Sequence, residues 1–589
     1  MVRILRASSK SISFLTLFLL PLLAVLLYGH TFKSPFHFDD KDLIKNNPAI
    51  HDLYDPERAM AYNRPRPALM VSLAFSYHFS GTNVFGYHLF NILLHCLSSI
   101  IIFCVSRLLL HSSGKKGRLH AAFLGASSLG AMFFLVHPMN TEAVTYISAR
   151  SDLLAAFFLL LSFYFFFKAR ICPGAALKSA YMVAAFLAYC LSMASKEIGV
   201  VLPILVLGAD YYLFRSPENE NHGRPSGFIE YLKIRGPALL PFFLMVLVLF
   251  VVRYQWEGSF LEKKSAFLSM HSRAAYVLTQ VNVIPWYYIN RMFFPENQNV
   301  DIYFPIYKTF FNLSTAAGAI CLSGMVFLAV RRRFSSALLS FAVFWFVASL
   351  SPTSSFIPIT DVAVERRLYL PGIAMSFMVA HIMSGPGLRK SITPLVVLLL
   401  FCSLGINRNY VYRDELSLWT DAASKAKANE RARNNLGDVY NGLGLYEEAA
   451  AELREAVRIE PRYAEAHYNL GVVYGRMGRR QEALRELRLS EVHHYSSPEL
   501  YYNLGVLYEE TGLLDKAEEK YLIAVKLNPG HSRAYNNLGN IHARQGRLEE
   551  AAAEWKAVLR IDPDFNGVRE RLEKISMITA NDKEHSLAN

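Results

Sequence analysis

Apolar runs of about 20 residues recur from the N-terminus to about residue 408 and then stop. Wound as helix, a run of that length crosses the roughly 30 Å hydrocarbon core of a bilayer. Within hydrocarbon each segment must satisfy its own backbone N–H and C=O groups, which leaves a helical bundle as the architecture of the first two thirds. The length criterion gives roughly eleven spans, at 11–30, 87–110, 119–136, 152–168, 178–194, 198–214, 236–253, 309–330, 336–352, 369–386 and 391–407. Residues 1–30 place Arg3, Arg6 and Lys10 ahead of a long apolar stretch, and Gly29-His30-Thr31 is a poor cleavage site. They read as an uncleaved first helix.

The formal charge of +13 is not the mark of a nucleic-acid partner, because much of it sits in short loops between apolar runs. Arg3/Arg6/Lys10, Lys115/Lys116/Arg118, Lys168/Arg170/Lys178, Arg224/Lys233/Arg235, Arg331/Arg332/Arg333 and Arg389/Lys390 fall on one side if 254–308 is a single non-crossing loop. That side is the cytoplasm. The apolar stretch 275–294 then reads as a re-entrant or interfacial helix ending at Pro295. An odd span number starting inside puts the C-terminus outside, together with the loops 31–86, 137–151, 195–197, 254–308 and 353–368. The six cysteines form no CxxC pair and lie in or beside apolar segments, so neither a zinc site nor a disulfide framework is expected.

Beyond the last span a different periodicity takes over. Leu436-Gly437, Leu470-Gly471, Leu504-Gly505 and Leu538-Gly539 recur every 34 residues, as do Gly444, Gly478, Gly512 and Gly546. That is the tetratricopeptide (TPR) period, each repeat a helix pair stacked on its neighbours. The expected organisation is all-α: a membrane domain at 1–408 with about eleven helices, a connector and half repeat at 409–430 containing Trp419, four repeats at 431–566, and a capping helix and tail at 567–589.

The distinctive polar residues all lie in the external loops. Asp39 and Asp40 follow the first span; Glu142, Arg150 and Asp152 sit at one membrane face; Lys196-Glu197 fills a very short loop; and Glu365-Arg366-Arg367 enters another span. Ionisable groups this near hydrocarbon are costly, and usually face one another or a polar cavity. Local pairing is the plainer alternative: Arg150 with Asp152, Lys196 with Glu197, Glu365 with Arg366, and His137 merely satisfying a loop carbonyl. The spacing of Asp39, Asp40 and Glu142 leaves a divalent ion open without being diagnostic of one.

The order of these motifs carries a resemblance. An Asp-Asp loop after the first span, Tyr62-Asn63-Arg64-Pro65, His137-Pro138 with Thr141-Glu142-Ala143-Val144, Arg150-Ser151-Asp152-Leu153-Leu154-Ala155, Lys196-Glu197-Ile198-Gly199-Val200, Glu365-Arg366-Arg367-Leu368-Tyr369-Leu370-Pro371 and then the repeats resemble the transmembrane and TPR-containing O-mannosyltransferases over nearly the whole chain. Ala149, where glycine is common, and the inserted Arg66 depart from the usual pattern. The resemblance implies a type C glycosyltransferase fold, a polyprenyl-phosphate sugar donor, with mannose the expected sugar, and transfer to Ser/Thr hydroxyls of proteins on the non-cytosolic face. Such transfer needs a carboxylate to take the hydroxyl proton and cations to hold the departing phosphate. Carried onto this chain, Asp39 is the expected base with Asp40 behind it and Glu142 beside them; Arg150, Lys196, Arg366 and Arg367 are the phosphate clamp; Asp152, Glu197 and Glu365 orient the clamp. No further cofactor is required. The short loops and modest repeat number point to a bacterial relative, hence an inner membrane with periplasmic repeats. A non-catalytic scaffold for envelope proteins and a polysaccharide polymerase or ligase are the competing readings.

Asn435, Asn469, Asn503 and Asn537 also recur every 34 residues. Asparagine is a mediocre helix former, so its fourfold return needs a reason. Either each amide bonds a neighbouring helix, or the row grips an extended acceptor backbone, donating to carbonyls and accepting from N–H groups. A similar ladder lines the repeats of the nucleocytoplasmic O-linked N-acetylglucosamine transferase. The topology is directly testable: alkaline phosphatase fused after Asn589 should be active, and a reporter fluorescent only in the cytoplasm should be dark. The opposite pair of signals would place every motif above on the wrong face.

Overall fold

The computed structural model describes residues 2–112, 120–213, 228–257, 272–331, 337–354, 357–359, 361–384 and 392–587. Of the basic loops, Lys115, Lys116, Arg118, Arg224, Arg332, Arg333, Arg389 and Lys390 lie outside the described residues. The chain is all-α, with no strand among the described residues, and divides into two compact units, Met1–Asp421 and Ala422–Asn589.

In the first unit helices occupy all eleven apolar stretches, and seven of them are long and apolar enough to cross a membrane: Phe14–Lys33, Val84–Leu110, Ile147–Ile171, Ala175–Ser195, Gly236–Gln255, Leu313–Val330 and Thr393–Val411. This is a membrane protein. Gly125–Val136, Ala337–Leu350 and Ile373–Met383 are shorter apolar helices. The bundle interior is built from Val2–Tyr28, Val84–Ser112, His120–Val136, Arg150–Ile171 and Ile373–Met383, which pack on one another, with Ala175–Ser195 laid along Arg150–Ile171. Close approach needs small residues. A Cβ on Gly130 would stand 2.5 Å from the Ser376 carbonyl, so only glycine lets the helix His120–Val136 meet Ile373–Met383. Burial separates inner from outer helices: Ile147–Ile171 is mostly buried, whereas Gly236–Gln255 is mostly exposed and leaves Leu240, Leu244 and Leu247 as a lipid-facing surface.

The polar loops are themselves folded. Asp55 caps Pro56–Tyr62 by accepting from the Arg58 N–H, with Pro56 at the first helical position. That helix and Pro67–Ser80 then share a small core of Ile44, Ile50, Ala59, Leu69, Met70, Leu73 and Tyr87. Residues 137–149 wind through three short helical turns and are buried throughout. The stretch 275–294 is one helical run, Arg273–Val283 continuing through Ile284–Ile289 to Asn290–Phe293, and it ends before Pro295.

The second unit stacks four helix pairs. Helix A is Glu430–Gly442, Ala464–Arg476, Pro498–Glu510 and Ser532–Arg544; helix B is Tyr446–Ile459, Arg480–Val492, Leu514–Leu527 and Leu548–Ile561; Val568–Leu587 follows as a cap. The recurring glycines explain the period. A Cβ at Gly505 would lie 2.5 Å from the Tyr521 ring, so helix A must be bare where helix B crosses it. Gly512 turns the chain between the helices at φ +79°, a left-handed conformation glycine adopts without strain. The predicted half repeat is divided between the units: Trp419, on the helix Glu415–Lys425, packs against Phe38 of the membrane unit.

One contact between helix A and helix B changes chemistry along the array. Arg433 meets Glu452 at 2.5 Å, and one repeat on His467 meets Glu486 at 2.7 Å while its other ring nitrogen lies 3.1 Å from the Pro461 carbonyl. Both partners of the imidazole are acceptors, so both contacts are satisfied as hydrogen bonds when the ring is protonated and both nitrogens donate. Burial opposes that charge, but the hydrogen bonds to Glu486 and Pro461 outweigh it and raise the pKa. A raised pKa adds stability that is complete below the unfolded value near 6.5 and is lost as pH climbs through the folded value. The repeat unit should therefore weaken by on the order of 1–2 kcal/mol as pH rises from below 6.5 into the alkaline range. His467→Arg, which copies the preceding repeat, should flatten the profile. Urea melts across pH check this; an equally sloped His467→Arg profile would refute it.

Candidate functional site

The charged loop residues converge, but the local pairs suggested by sequence adjacency do not form. Each acid reaches a base on another loop or helix. Glu142 accepts from the Arg366 guanidinium at 2.6 Å and from the Arg366 backbone N–H at 3.1 Å. Asp152 receives Lys196 Nζ on both oxygens at 2.7 Å. Glu197 lies between Arg66 at 3.4 Å and Arg253 at 3.2 Å, and Glu365 faces Arg408 at 3.6 Å. These four groups hold 137–152, 195–201 and 364–368 together at one face of the bundle.

Burial sets the electrostatics. Desolvation lowers the Lys196 pKa, with Asp152 acting against it. For Arg366 desolvation also lowers the value, but Glu142 outweighs it and the guanidinium stays firmly charged. Burial would raise Glu197, yet Arg66, Lys196 and Arg253 bring it down to about 2. Burial dominates at Glu365 and raises its pKa, while its Oε1 accepts from the Tyr287 hydroxyl at 2.8 Å and the Asn299 N–H at 2.9 Å.

The two aspartates have different fates. Asp40 is fully buried: one oxygen accepts from the Ser148 N–H at 2.7 Å and from its hydroxyl, the other from the His37 N–H at 3.1 Å. Burial pushes Asp40 up to about 7 against those bonds. It ties the loop 36–41 to the turn 146–149. Asp39 is exposed, and no side-chain partner stands against it among the described residues. Tyr146 has its ring under the Arg366 guanidinium at 5.6 Å, and both aspartates act on it electrostatically.

Three expected roles are not met by the positions. Arg150 is completely enclosed, donating to Asn91, to the Ser72 carbonyl, to Ser76 and to the Tyr87 carbonyl, and stacked on Phe90 at 4.4 Å. Four of its five N–H donors are spent on protein acceptors, so it braces Arg150–Ile171 against Pro67–Ser80 and Val84–Ser112 and, fully enclosed, is not placed to clamp a phosphate. Arg367 turns to the Val362 carbonyl at 3.4 Å and is not brought to the Arg366 group. Glu365 binds Arg408 and Tyr287 instead of orienting Arg366. His137 points Nε2 at the Met292 carbonyl, 2.9 Å away. Among the described residues no group of three His, Cys, Asp or Glu side chains is arranged to hold a metal ion. The geometry adds Tyr146, Ser148, Arg66, Arg253 and Arg408, which sequence reasoning left without a role. Arg408 carried a usable signal, being a cation late in an apolar span.

Arg366 rests on buried Glu142 and is itself 29% exposed, so this cation reaches the surface of the charged cluster. The fold and site thus define a multi-span membrane protein with a charged loop site and a C-terminal tetratricopeptide array. Residues 437–478 match the family model for the TPR repeat, and 468–531 and 515–564 that for the tetratricopeptide repeat. The curated relatives are protein O-mannosyl-transferases. The chain is 25% identical over 489 residues to Tmtc3 of Drosophila melanogaster, covering 73% of this chain and 52% of the relative. It is 26% identical over 481 residues to TMTC4 of Homo sapiens, covering 70% and 62%. The chain thus spans about half to three fifths of the length of these relatives. Among solved structures, MamA matches with 25% identity and a TM-score of 0.24, over 27% of this chain and 91% of that one.

In the repeats three members of the asparagine row bond helix to helix, and Asn435 bonds within its own helix. Asn469 donates to Asn434 at 2.9 Å, Asn503 to the Tyr468 hydroxyl at 3.4 Å and Asn537 to the Tyr521 hydroxyl at 2.9 Å, while Asn435 accepts from Asn434 at 3.4 Å. All four asparagines remain half-buried.

Arg150 gives a clear contrast. Arg150→Met leaves four protein acceptors without their donor, and the loss should approach the 3–5 kcal/mol of a broken buried charge network. Thermal unfolding in detergent should drop sharply or folded yield collapse, whereas Asp39→Asn, at an exposed position, should unfold near the wild-type temperature. Equal stability of Arg150→Met and wild type would return Arg150 to a ligand-binding role.

Proposed function

We propose that this chain is a membrane glycosyltransferase that moves mannose from a polyprenyl-phosphate donor to Ser/Thr hydroxyls of proteins on the extracytoplasmic face. The observation that carries the reading is the seating of Arg366 on Glu142 and of Lys196 on Asp152, with Asp39 exposed and both Asp39 and Arg366 acting electrostatically on Tyr146. The names of the curated relatives support the same chemistry. The acceptor oxygen attacks the anomeric carbon, its proton passes to the Asp39 carboxylate, and the bond from that carbon to the phosphate oxygen breaks. Polyprenyl phosphate departs with the electron pair, and Asp39 returns its proton to water. Arg366 and Lys196 stabilise the charge gathering on the phosphate, and Glu142 and Asp152 fix those cations before donor arrives. The half-buried asparagines would present amides to an extended acceptor segment.

The test uses purified protein, polyprenyl-phosphate mannose and envelope extract, with modified peptides read by mass spectrometry. Asp39→Asn should bind donor normally and lose transfer by about 10²–10⁴-fold. Arg366→Ala and Lys196→Ala should raise the donor Kd about tenfold or more, each removing a charge-assisted partner. No transfer by the wild type, or full transfer by Asp39→Asn, would overturn the reading.

A further inference from the structure

Phe38, the residue before Asp39, has φ +48°. A bulky side chain rarely adopts that left-handed conformation unless its surroundings impose it. Here they do so from two sides. The Phe38 ring stands edge-on to Tyr146 at 5.4 Å and to Trp419 at 5.2 Å. Trp419 is buried on the helix Glu415–Lys425, beyond the last span. Two more contacts join the same segment to the same loop: His37 Nε2 donates to the Tyr412 carbonyl at 3.0 Å, and Lys41 pairs with Glu415 at 2.5 Å. Asp40 anchors the far side of the turn on Ser148. The backbone reversal at Phe38 is what sends Asp39 to the surface while Asp40 goes inward.

We infer that Trp419 is a positioning residue: by holding Phe38 in the left-handed conformation against Tyr146, the segment 412–419 fixes the direction of the Asp39 carboxylate. This rests on the proposed role of Asp39 as base. A residue after the last span would then belong to the active site, although the repeat periodicity assigns it to the array. Removing the ring leaves Asp39 present but misdirected, which lowers turnover and spares donor binding, because Arg366 and Lys196 are held by other contacts.

The experiment uses the full chain in nanodiscs. Trp419→Ala should cut kcat about tenfold or more with the donor Kd unchanged, and Trp419→Phe, which keeps an aromatic edge, should restore most of the loss. Phe38→Gly provides a variant that folds readily, since glycine accepts positive φ; it should lower kcat in the same way without lowering the unfolding temperature. A readout independent of activity is maleimide labelling at position 39 in Asp39→Cys, followed by mass spectrometry of that peptide. Labelling should change about threefold or more when Trp419→Ala or Phe38→Gly is added and stay constant with Trp419→Phe. Unchanged labelling in all three, or a kcat loss matched by an equal loss of donor affinity, would overturn the inference. Wild-type protein without transfer would sink the proposed function, and labelling would still decide whether Trp419 sets the position of Asp39.

Discussion

A charge at the edge of hydrocarbon must find a partner, and here each partner lies on a different loop or helix. Glu142 and Arg366 are far apart in sequence, as are Asp152 and Lys196, and Glu197 gathers Arg66 and Arg253 from two further elements. Because none of these pairs is local, none can form until the bundle has brought its loops together. Each acid is more deeply buried than its cation wherever the pair faces solvent at Arg366 or Lys196. Breaking such a pair leaves an uncompensated charge, so the loops are held in one arrangement. Arg366, 29% exposed and backed by a buried acid, can meet an anion without reorganising, which is the property the proposed phosphate-leaving reaction requires.

The same constraint separates two arginines that look alike in sequence. Arg150 and Arg366 both stand at span entries beside acids. One is enclosed by carbonyls and a ring and works as a brace; the other rests on a single carboxylate with an open flank. The aspartates divide in the same way. They are adjacent in the chain, but the reversal at Phe38 sends one to Ser148 and the other to water.

Much of the fold was legible because it depends on periodicity and length. The apolar runs mark helices, and the 34-residue step places Gly505 opposite Tyr521 and Gly512 in its left-handed turn. The site was legible as a set of residues and not as a set of pairs. Adjacency favours Lys196 with Glu197, whereas Lys196 reaches Asp152 across the loop, and nothing in a linear pattern reports which way a side chain leaves a short turn. Arg253 reads as a flanking positive charge until the bundle sets it beside Glu197. Trp419 misleads for a related reason: it fits the repeat periodicity, and its burial is nevertheless against Phe38.

The central claim is that Arg366 and Lys196 receive the donor phosphate in front of Asp39. The most direct measurement is a cryo-electron microscopy structure with a non-transferable polyprenyl-phosphonate analogue of the mannose donor. Phosphonate oxygens should lie within about 3 Å of the Arg366 guanidinium or Lys196 Nζ, with the sugar between them and Asp39. A phosphonate bound elsewhere, with Arg366 and Lys196 still bonded only to Glu142 and Asp152, would contradict it.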